Sequence, residues 1–482
     1  MDILHEEFNH VKVDTPPINR IARETVNDRR SHMLYSADRQ ENSMSIRDLV
    51  DTCLANIRQT DGEGARAFTR VYQDAARQRA DVLDRTQARI GEKLPLAGMP
   101  ISIKDLFDIA GEPTLAGSRV LQDAPPATDD AQVVHRLRQA GAIIIGKTNM
   151  TEFAFSGLGL NPHDGTPASP WQREKRRIPG GSSSGAGISV ADNMAIAAIG
   201  TDTGGSIRIP AAICGLVGFK PTASSVPQRG MLPLSRSFDS IGPIARDVDI
   251  CAAIYSALSR QEQDSLAPLA LSSIRLGVVQ NLVLEQLDAQ VAKAYGAALS
   301  RLSAAGIRLQ DMTLPVLSEH SVYAVHGGMV VAEAYAWHEK LFSQHSHLYD
   351  PRVASRIAHG RRVSPADYTA LQNERARLIA QWEIETGPVD AIVMPTMPII
   401  APAIAEADDN ANYNRLDRLI LRNPTIGNLM DGCSITLPCH DAWDAPVGLM
   451  LIARSGHDRD LLRIAKMLED VLRPQPRGRL CY

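Results

Sequence analysis

Three stretches of the sequence combine residue types that ordinary structure rarely brings together. The segment PGGSSSGAG (179–187) packs Ser182, Ser183 and Ser184 between glycines. The segment GTDTGGSIRIPAAICGLVGFKPT (200–222) has a Gly204-Gly205-Ser206 turn just before a predicted helix whose first turn holds Pro210. Lys104 ends the apolar run PISIK. A serine hydroxyl is a weak nucleophile at neutral pH and needs a positioned base. Consecutive glycines let backbone N–H groups point inward without side chains in the way. A lysine at the end of an apolar strand must either find a carboxylate or lose its charge. Asp105 and Asp108 are near enough in sequence to pair with it, which would make Lys104 structural. Taken singly, each stretch leaves both readings open.

Two literal pattern matches fail on their context. GAIIIGKT (141–148) fits the phosphate-loop pattern G-x-x-x-x-G-K-[ST]. A phosphate loop must be an exposed turn with its N–H groups turned inward, whereas Ala-Ile-Ile-Ile is a buried, β-branched strand. GSSSG (181–185) fits the G-x-S-x-G elbow and would select Ser183 as nucleophile. That elbow follows a buried strand, and QREKRRIPG before it is charged and carries a proline.

Taken together, the blocks resemble the amidase signature family. MPISIKDLFDIAGEPTLAGS, GAIIIGKTNMTEFAFSGLGLNPHDGTP, PGGSSSGAG and GTDTGGSIRIPAAICGLVGFKPT, followed by LPLSRSFDSIGPIARDV, are similar to family blocks and stand in family order. Ser182 and Ser206 are separated by the family's interval of 24 positions. Weaker similarity runs from about Ser45 to Leu472. The resemblance implies Ser206 as nucleophile, Ser182 as a bridging serine held by a cis peptide bond, and Lys104 as base. It implies an oxyanion hole from the backbone of Thr203, Gly204, Gly205 and Ser206. The chemistry is coherent: a lysine of free pKa about 10.4 serves as base only where its surroundings favour the neutral amine. A hydroxyl such as that of Ser182 can donate and accept at once and so relay the proton. Asp202 and Arg208 read as braces of the loop. Ser183 is a supporting hydrogen-bond partner or a helix cap.

The implied activity is hydrolysis of a small carboxylic amide, aryl or alkyl, through an acyl-enzyme. Family members include carbamate and anilide hydrolases and the glutaminase subunit of a transamidosome, which works with partner subunits. Thr151 stands where that subunit usually carries an acidic residue, a departure that favours a free-standing amidase. Arg173, Lys175, Arg176 and Arg177 form a basic cluster, either a solvated loop or an attractor for an acidic substrate. Residues 315–430, where the resemblance fades, should hold the specificity. Met329, Tyr335, Trp337 and Phe342 lie there at helical spacing and line either an acyl pocket or the core.

The elements that must position these groups alternate. Ser45 is a candidate N-cap for a helix with Leu49, Cys53 and Ile57 on one face, and a second helical stretch covers roughly 67–90. PISIK and GAIIIGK read as strands, DDAQVVHRLRQA as a helix with Val133, Val134, Leu137 and Ala140 inward, and SSGAGISVADNMAIAAIG as a helix ending at Gly200. Later strands are expected at 274–280, 389–397 and 446–453, with helices at 288–305 and 458–472. This alternation predicts an α/β fold, a mixed and mostly parallel sheet sandwiched by helices. Residues 1–44 read as an N-terminal arm or helix and 45–482 as one domain.

Composition bounds the rest. The chain has 482 residues, 44% hydrophobic and 22% charged, with 51 Lys plus Arg against 55 Asp plus Glu. That balance draws it neither to nucleic acid nor to an anionic membrane. No apolar run is long enough to span a bilayer, and MDILHEEFNHVK lacks the pattern of a signal peptide. Cys53, Cys214, Cys251, Cys433, Cys439 and Cys481 are scattered without a CxxC pair, as in a reducing, cytoplasmic setting. His345 and His347 fall in a polar loop, and no metal or cofactor is expected. The expected partner is a small-molecule amide, with a homodimer left open.

Overall fold

The computed structural model describes residues 44–90, 94–261, 266–318 and 321–473, so the arm expected over 1–44 lies outside them except at Met44. Eleven strands form one sheet: β1 Phe68–Val71, β2 Pro100–Lys104, β3 Ile143–Thr148, β4 Ala197–Asp202, β5 Val217–Lys220, β6 Ser240–Ala245, β7 Arg275–Val279, β8 Arg308–Met312, β9 Ala391–Pro395, β10 Cys433–Pro438 and β11 Gly448–Ala453. Their spatial order is β1-β3-β2-β4-β6-β5-β10-β11-β9-β7-β8. Every residue of β2, β3, β4, β5, β6, β9 and β11 is buried. A strand with no exposed residue has both faces covered, the signature of a sheet between helical layers. The edge strand β8 has only exposed and half-buried positions.

The α/β class and the mixed sheet are as expected. Parallel pairing falls in two blocks, β3-β2-β4 and β9-β7-β8. The strands between them, from β4 through β6, β5, β10 and β11 to β9, pair antiparallel. Uniformly apolar strands bury well in either orientation, so their composition does not report direction.

The helices are α1 Ile46–Ile57, α2 Gly64–Ala67, α3 Gln73–Ile90, α4 Gln132–Gln139, α5 Ser184–Ala191, α6 Arg208–Ile213, α7 Val248–Ser259, α8 Ala289–Ala304, α9 Ser321–His345, α10 Pro351–His359, α11 Pro365–Thr386, α12 Asn410–Leu429 and α13 Asp458–Leu472. On α1 the expected face Leu49, Cys53 and Ile57 is buried. Its first amides, on Ile46 and Arg47, donate to the Asp84 carboxylate of α3 at 3.0 and 3.1 Å, a cap supplied from 38 residues away in the first case. On α4, Val133, Val134 and Leu137 face inward as predicted.

Two expectations are corrected. The helical stretch over 67–90 opens with β1, which adds to the sheet edge antiparallel to β3. The helix from Ser184 stops at Ala191, and Ala197–Asp202 is the strand β4, hydrogen-bonded to β2 and β6. Asn193, at φ 56°, turns the chain between them. The alanines of AIAAIG favour helix locally, but two waiting strand edges outweigh that preference.

Candidate active site

β2 runs between β3 and β4 and delivers Lys104 to the end of the sheet where β4 passes into the Thr203–Ser206 loop. Lys104 is fully buried. Its Nζ lies 2.7 Å from Ser182 Oγ and 2.8 Å from Thr201 Oγ1. Neither neighbouring aspartate pairs with it: Asp105 faces Lys147 at 3.2 Å, and Asp108 accepts the Thr114 hydroxyl at 2.7 Å. Among the described residues, no carboxylate lies within ion-pairing distance of Lys104. Burial lowers its pKa to about 7, against the upward pull of Asp239 and Asp202. The lysine is therefore held near the point where the neutral amine is populated at physiological pH.

The serine segment lies against the glycine loop. The Gly181–Ser182 peptide bond is cis. The Thr151 amide donates to the Ser182 carbonyl at 3.1 Å, and the Gly181 amide to the Gly157 carbonyl at 2.8 Å. The Ser183 amide donates to the Ser206 carbonyl at 3.4 Å, bringing the two segments into register. The Ser183 hydroxyl donates to the Thr201 carbonyl at 3.4 Å and makes no helix-capping bond to α5.

Asp202 shapes the loop that follows β4. Its Oδ1 accepts the Gly205 amide at 2.8 Å and its Oδ2 the Ile207 amide at 3.1 Å. The same carboxylate takes Arg208 Nε at 3.0 Å and Nη2 at 2.8 Å, a fully buried bidentate pair. Burial alone would raise the Asp202 pKa, but Arg208 holds it well below the usual carboxylate range. Arg208 reaches on to α12, donating to the Pro424 carbonyl at 2.7 Å and Asn428 Oδ1 at 2.6 Å. Gly205 sits at φ 128°, and a Cβ there would meet Pro424 Cβ at 2.6 Å, so both conformation and space require glycine.

One amide of the expected oxyanion hole already has a partner within the loop. The Gly205 amide is spent on Asp202, because the turn needs that bond to close. Among the described residues, no acceptor is found for the amides of Gly204 and Ser206. The Thr203 amide likewise has no acceptor among the described residues, so three of the four expected donors are unengaged within the loop.

Several groups at the site are not singled out by the sequence. Thr201 is the second partner of Lys104. Asp239 accepts the Thr203 hydroxyl at 2.6 Å and the amides of Leu234 and Ser235 at 3.0 and 3.1 Å. Burial raises its pKa to about 7, with those donors pulling the other way. His326 of α9 lies 2.9 Å from the Thr203 carbonyl. Thr425 donates to the Gly204 carbonyl at 3.4 Å, and Asn428 to the Asp202 carbonyl at 3.0 Å. Asp239 stands inside the block LPLSRSFDS, which offered a signal; α9 and α12 carry none.

The remaining candidates have structural employment. Arg173 pairs with Asp192 at 2.8 Å, Arg176 with Glu63 at 3.2 Å, and Arg177 lies over the Trp171 ring. Lys175 is exposed. Met329 is buried, while Trp337 and Phe342 join an aromatic cluster with Phe153, His338 and Tyr349. His345 ends α9 and His347 lies in the turn after it, and no described group of residues has the makings of a metal site. Cys53, Cys214, Cys251, Cys433 and Cys439 are free and buried; Cys481 lies outside the described residues. No described helix is long and apolar enough to cross a membrane. Gly146 and Lys147 of the GAIIIGKT match lie in buried β3, where no phosphate could enter.

A family model described as Amidase matches residues 48–462, and the chain belongs to that family, the amidase signature enzymes. It is an amidohydrolase acting on C–N bonds. Among its relatives, a 2-amino-5-chloromuconic acid deaminase of Comamonas testosteroni is 36% identical over 382 residues, 78% of this chain and 82% of the relative. A glutamyl-tRNA(Gln) amidotransferase subunit from Anaeromyxobacter dehalogenans is 33% identical, with 90% and 94% covered. A crystal structure of an amidase superposes with a TM-score of 0.80 at 31% identity, covering 89% of this chain and 96% of that one.

Proposed function

We propose that the chain hydrolyses a small aryl or alkyl carboxamide through an acyl-enzyme on Ser206. Ser206 Oγ attacks the carbonyl carbon while its proton passes to Ser182 Oγ, and the Ser182 proton passes to neutral Lys104. The tetrahedral oxyanion is met by the amides of Gly204 and Ser206, each donor of this kind being worth about 3 kcal/mol of transition-state stabilisation. As the C–N bond breaks, the proton returns from Lys104 through Ser182 to the leaving amine. Water then enters by the same relay, and deacylation frees Ser206. The observation that carries this reading is the 2.7 Å contact of Lys104 Nζ with Ser182 Oγ, made by a buried lysine without a carboxylate partner among the described residues. The aryl or alkyl acyl group is the expectation carried by the apolar residues of 315–430, and the substrate panel decides it.

The test is a panel of amides, anilides, carbamates and glutamine with ammonia and amine release measured, run beside Ser206→Ala and Lys104→Ala. Near wild-type turnover in either variant overturns the assignment. The panel also includes an amino-substituted dienedioic acid, because one relative is named for deaminating such a compound. A second reading, glutaminase subunit of an amidotransferase, is favoured by the 33% identity that spans nearly the whole chain. Glutamine hydrolysis that appears only with partner subunits would establish it.

A further inference from the structure

The oxyanion loop is built from flat peptide units, and that flatness turns a contact on one side into an orientation on the other. In a trans peptide the C=O and the following N–H point in opposite directions. The Thr203–Gly204 peptide is trans. Whatever holds the Thr203 carbonyl therefore aims the Gly204 N–H, one of the loop amides without an acceptor among the described residues. His326 Nε2 lies 2.9 Å from that carbonyl oxygen. A carbonyl only accepts, so the ring must carry its hydrogen on Nε2. The imidazole is braced from behind by Phe238, with ring centroids 4.6 Å apart, and Phe238 is braced in turn by Arg375 over its face at 4.2 Å. The next peptide is pinned independently: Thr425 holds the Gly204 carbonyl and Asp202 the Gly205 amide. His326 is thus the side chain on the one remaining carbonyl that decides where the Gly204 donor points.

We propose that His326 is a positioning residue of the oxyanion hole, supplied by α9 from outside the signature segments and acting through the Thr203–Gly204 peptide. This rests on Ser206 being the nucleophile. Burial lowers the His326 pKa to about 4, so the ring is a neutral, single-tautomer donor at neutral pH. Glu333, on the same helix, accepts the Ser235 hydroxyl at 3.0 Å and the Ser237 amide at 3.1 Å. The helix therefore grips the Ser235–Asp239 segment as well as the oxyanion loop, and substrate contacts on α9 would be felt at both.

The experiment compares His326→Phe, which keeps an aromatic ring against Phe238 but has no N–H, with His326→Gln, whose amide can donate from a similar distance. The readouts are kcat and KM on the best amide of the panel, and inhibition by a trifluoromethyl ketone, to whose carbonyl carbon Ser206 Oγ adds to leave an oxyanion. Expected for H326F is about a tenfold fall in kcat with KM within about twofold, a parallel loss of ketone affinity of about tenfold, and recovery of most of both in H326Q. Where H326F does not fold, His326→Met takes its place. A non-donor variant with wild-type kcat, a loss confined to KM, or an H326Q as impaired as H326F each overturns the proposal. Ser206→Ala is measured in parallel. If it stays active, the nucleophile assignment has failed; if it is dead while H326F is normal, only the role of His326 has.

Discussion

Lys104 illustrates how much of a residue's chemistry is set by what is withheld from it. Its buried amine has two hydroxyls for company, Ser182 and Thr201, and the two nearest aspartates in sequence are otherwise engaged. A hydroxyl stabilises an ammonium far less than a carboxylate does, so burial dominates and the pKa falls to about 7. If Lys104 is the base, the active form is the neutral amine, and kcat/KM must rise with pH through about 7. Asp239, raised to about 7, titrates in the same window and its charge pulls the Lys104 pKa upward. Asp239→Asn should therefore move the acid limb of the pH–rate profile to lower pH; a limb that stays in place would detach Asp239 from the base. Replacing Lys104 or Ser206 by Ala should lower kcat by at least about a thousandfold, as losses in coupled relays do.

At the scale of elements, the site is a set of loops held at their ends. β4 hands the chain to a turn that closes only because Asp202 takes two of its amides, and α6 begins where Arg208 locks that carboxylate to α12. Arg208→Met would leave a buried carboxylate without its counter-charge, and breaking such a pair costs about 3–5 kcal/mol. Urea unfolding should show a loss of that size. Gly205→Ala demands a side chain at φ 128° against Pro424, so both stability and turnover should fall together, by about 1–3 kcal/mol in the former. Far from the chemistry, Asp84→Ala removes the cap on α1 and should cost about 1–2 kcal/mol with kcat unchanged. A change of kcat in Asp84→Ala would mean that α1 reaches the site by a route not visible in its contacts.

The whole molecule is where the choice between a free-standing amidase and a partner-dependent glutaminase lies. The sheet brings distant halves of the chain into contact: β5 pairs with β10, and through α12 the far half reaches the oxyanion loop. Both halves therefore contribute to the one site, and the proposed relay draws all three of its side chains from this chain. On the free-standing reading, the chain alone turns over amides at a rate that added amidotransferase subunits leave unchanged. A partner-dependent onset of ammonia release from glutamine would reverse that choice.

The signature blocks were sufficient to name Lys104, Ser182 and Ser206 as candidates, because each stands in a local pattern of glycines or apolar residues that records its own backbone demands. Buried strands were legible for the same reason: a run such as AIVMP or GLMLIA has no other place to go. Strand direction was not, since an apolar strand satisfies either neighbour, and AIAAIG read as helix until β2 and β6 offered it their edges. Nor could the sequence show which loop amides are free. Gly204 and Gly205 look alike in a string of letters, and only the fold spends the amide of Gly205 on Asp202. His326, Thr425 and Asn428 were hidden because their importance lies in hydrogen bonds that span more than a hundred residues of chain, a relation that packing creates and periodicity does not encode.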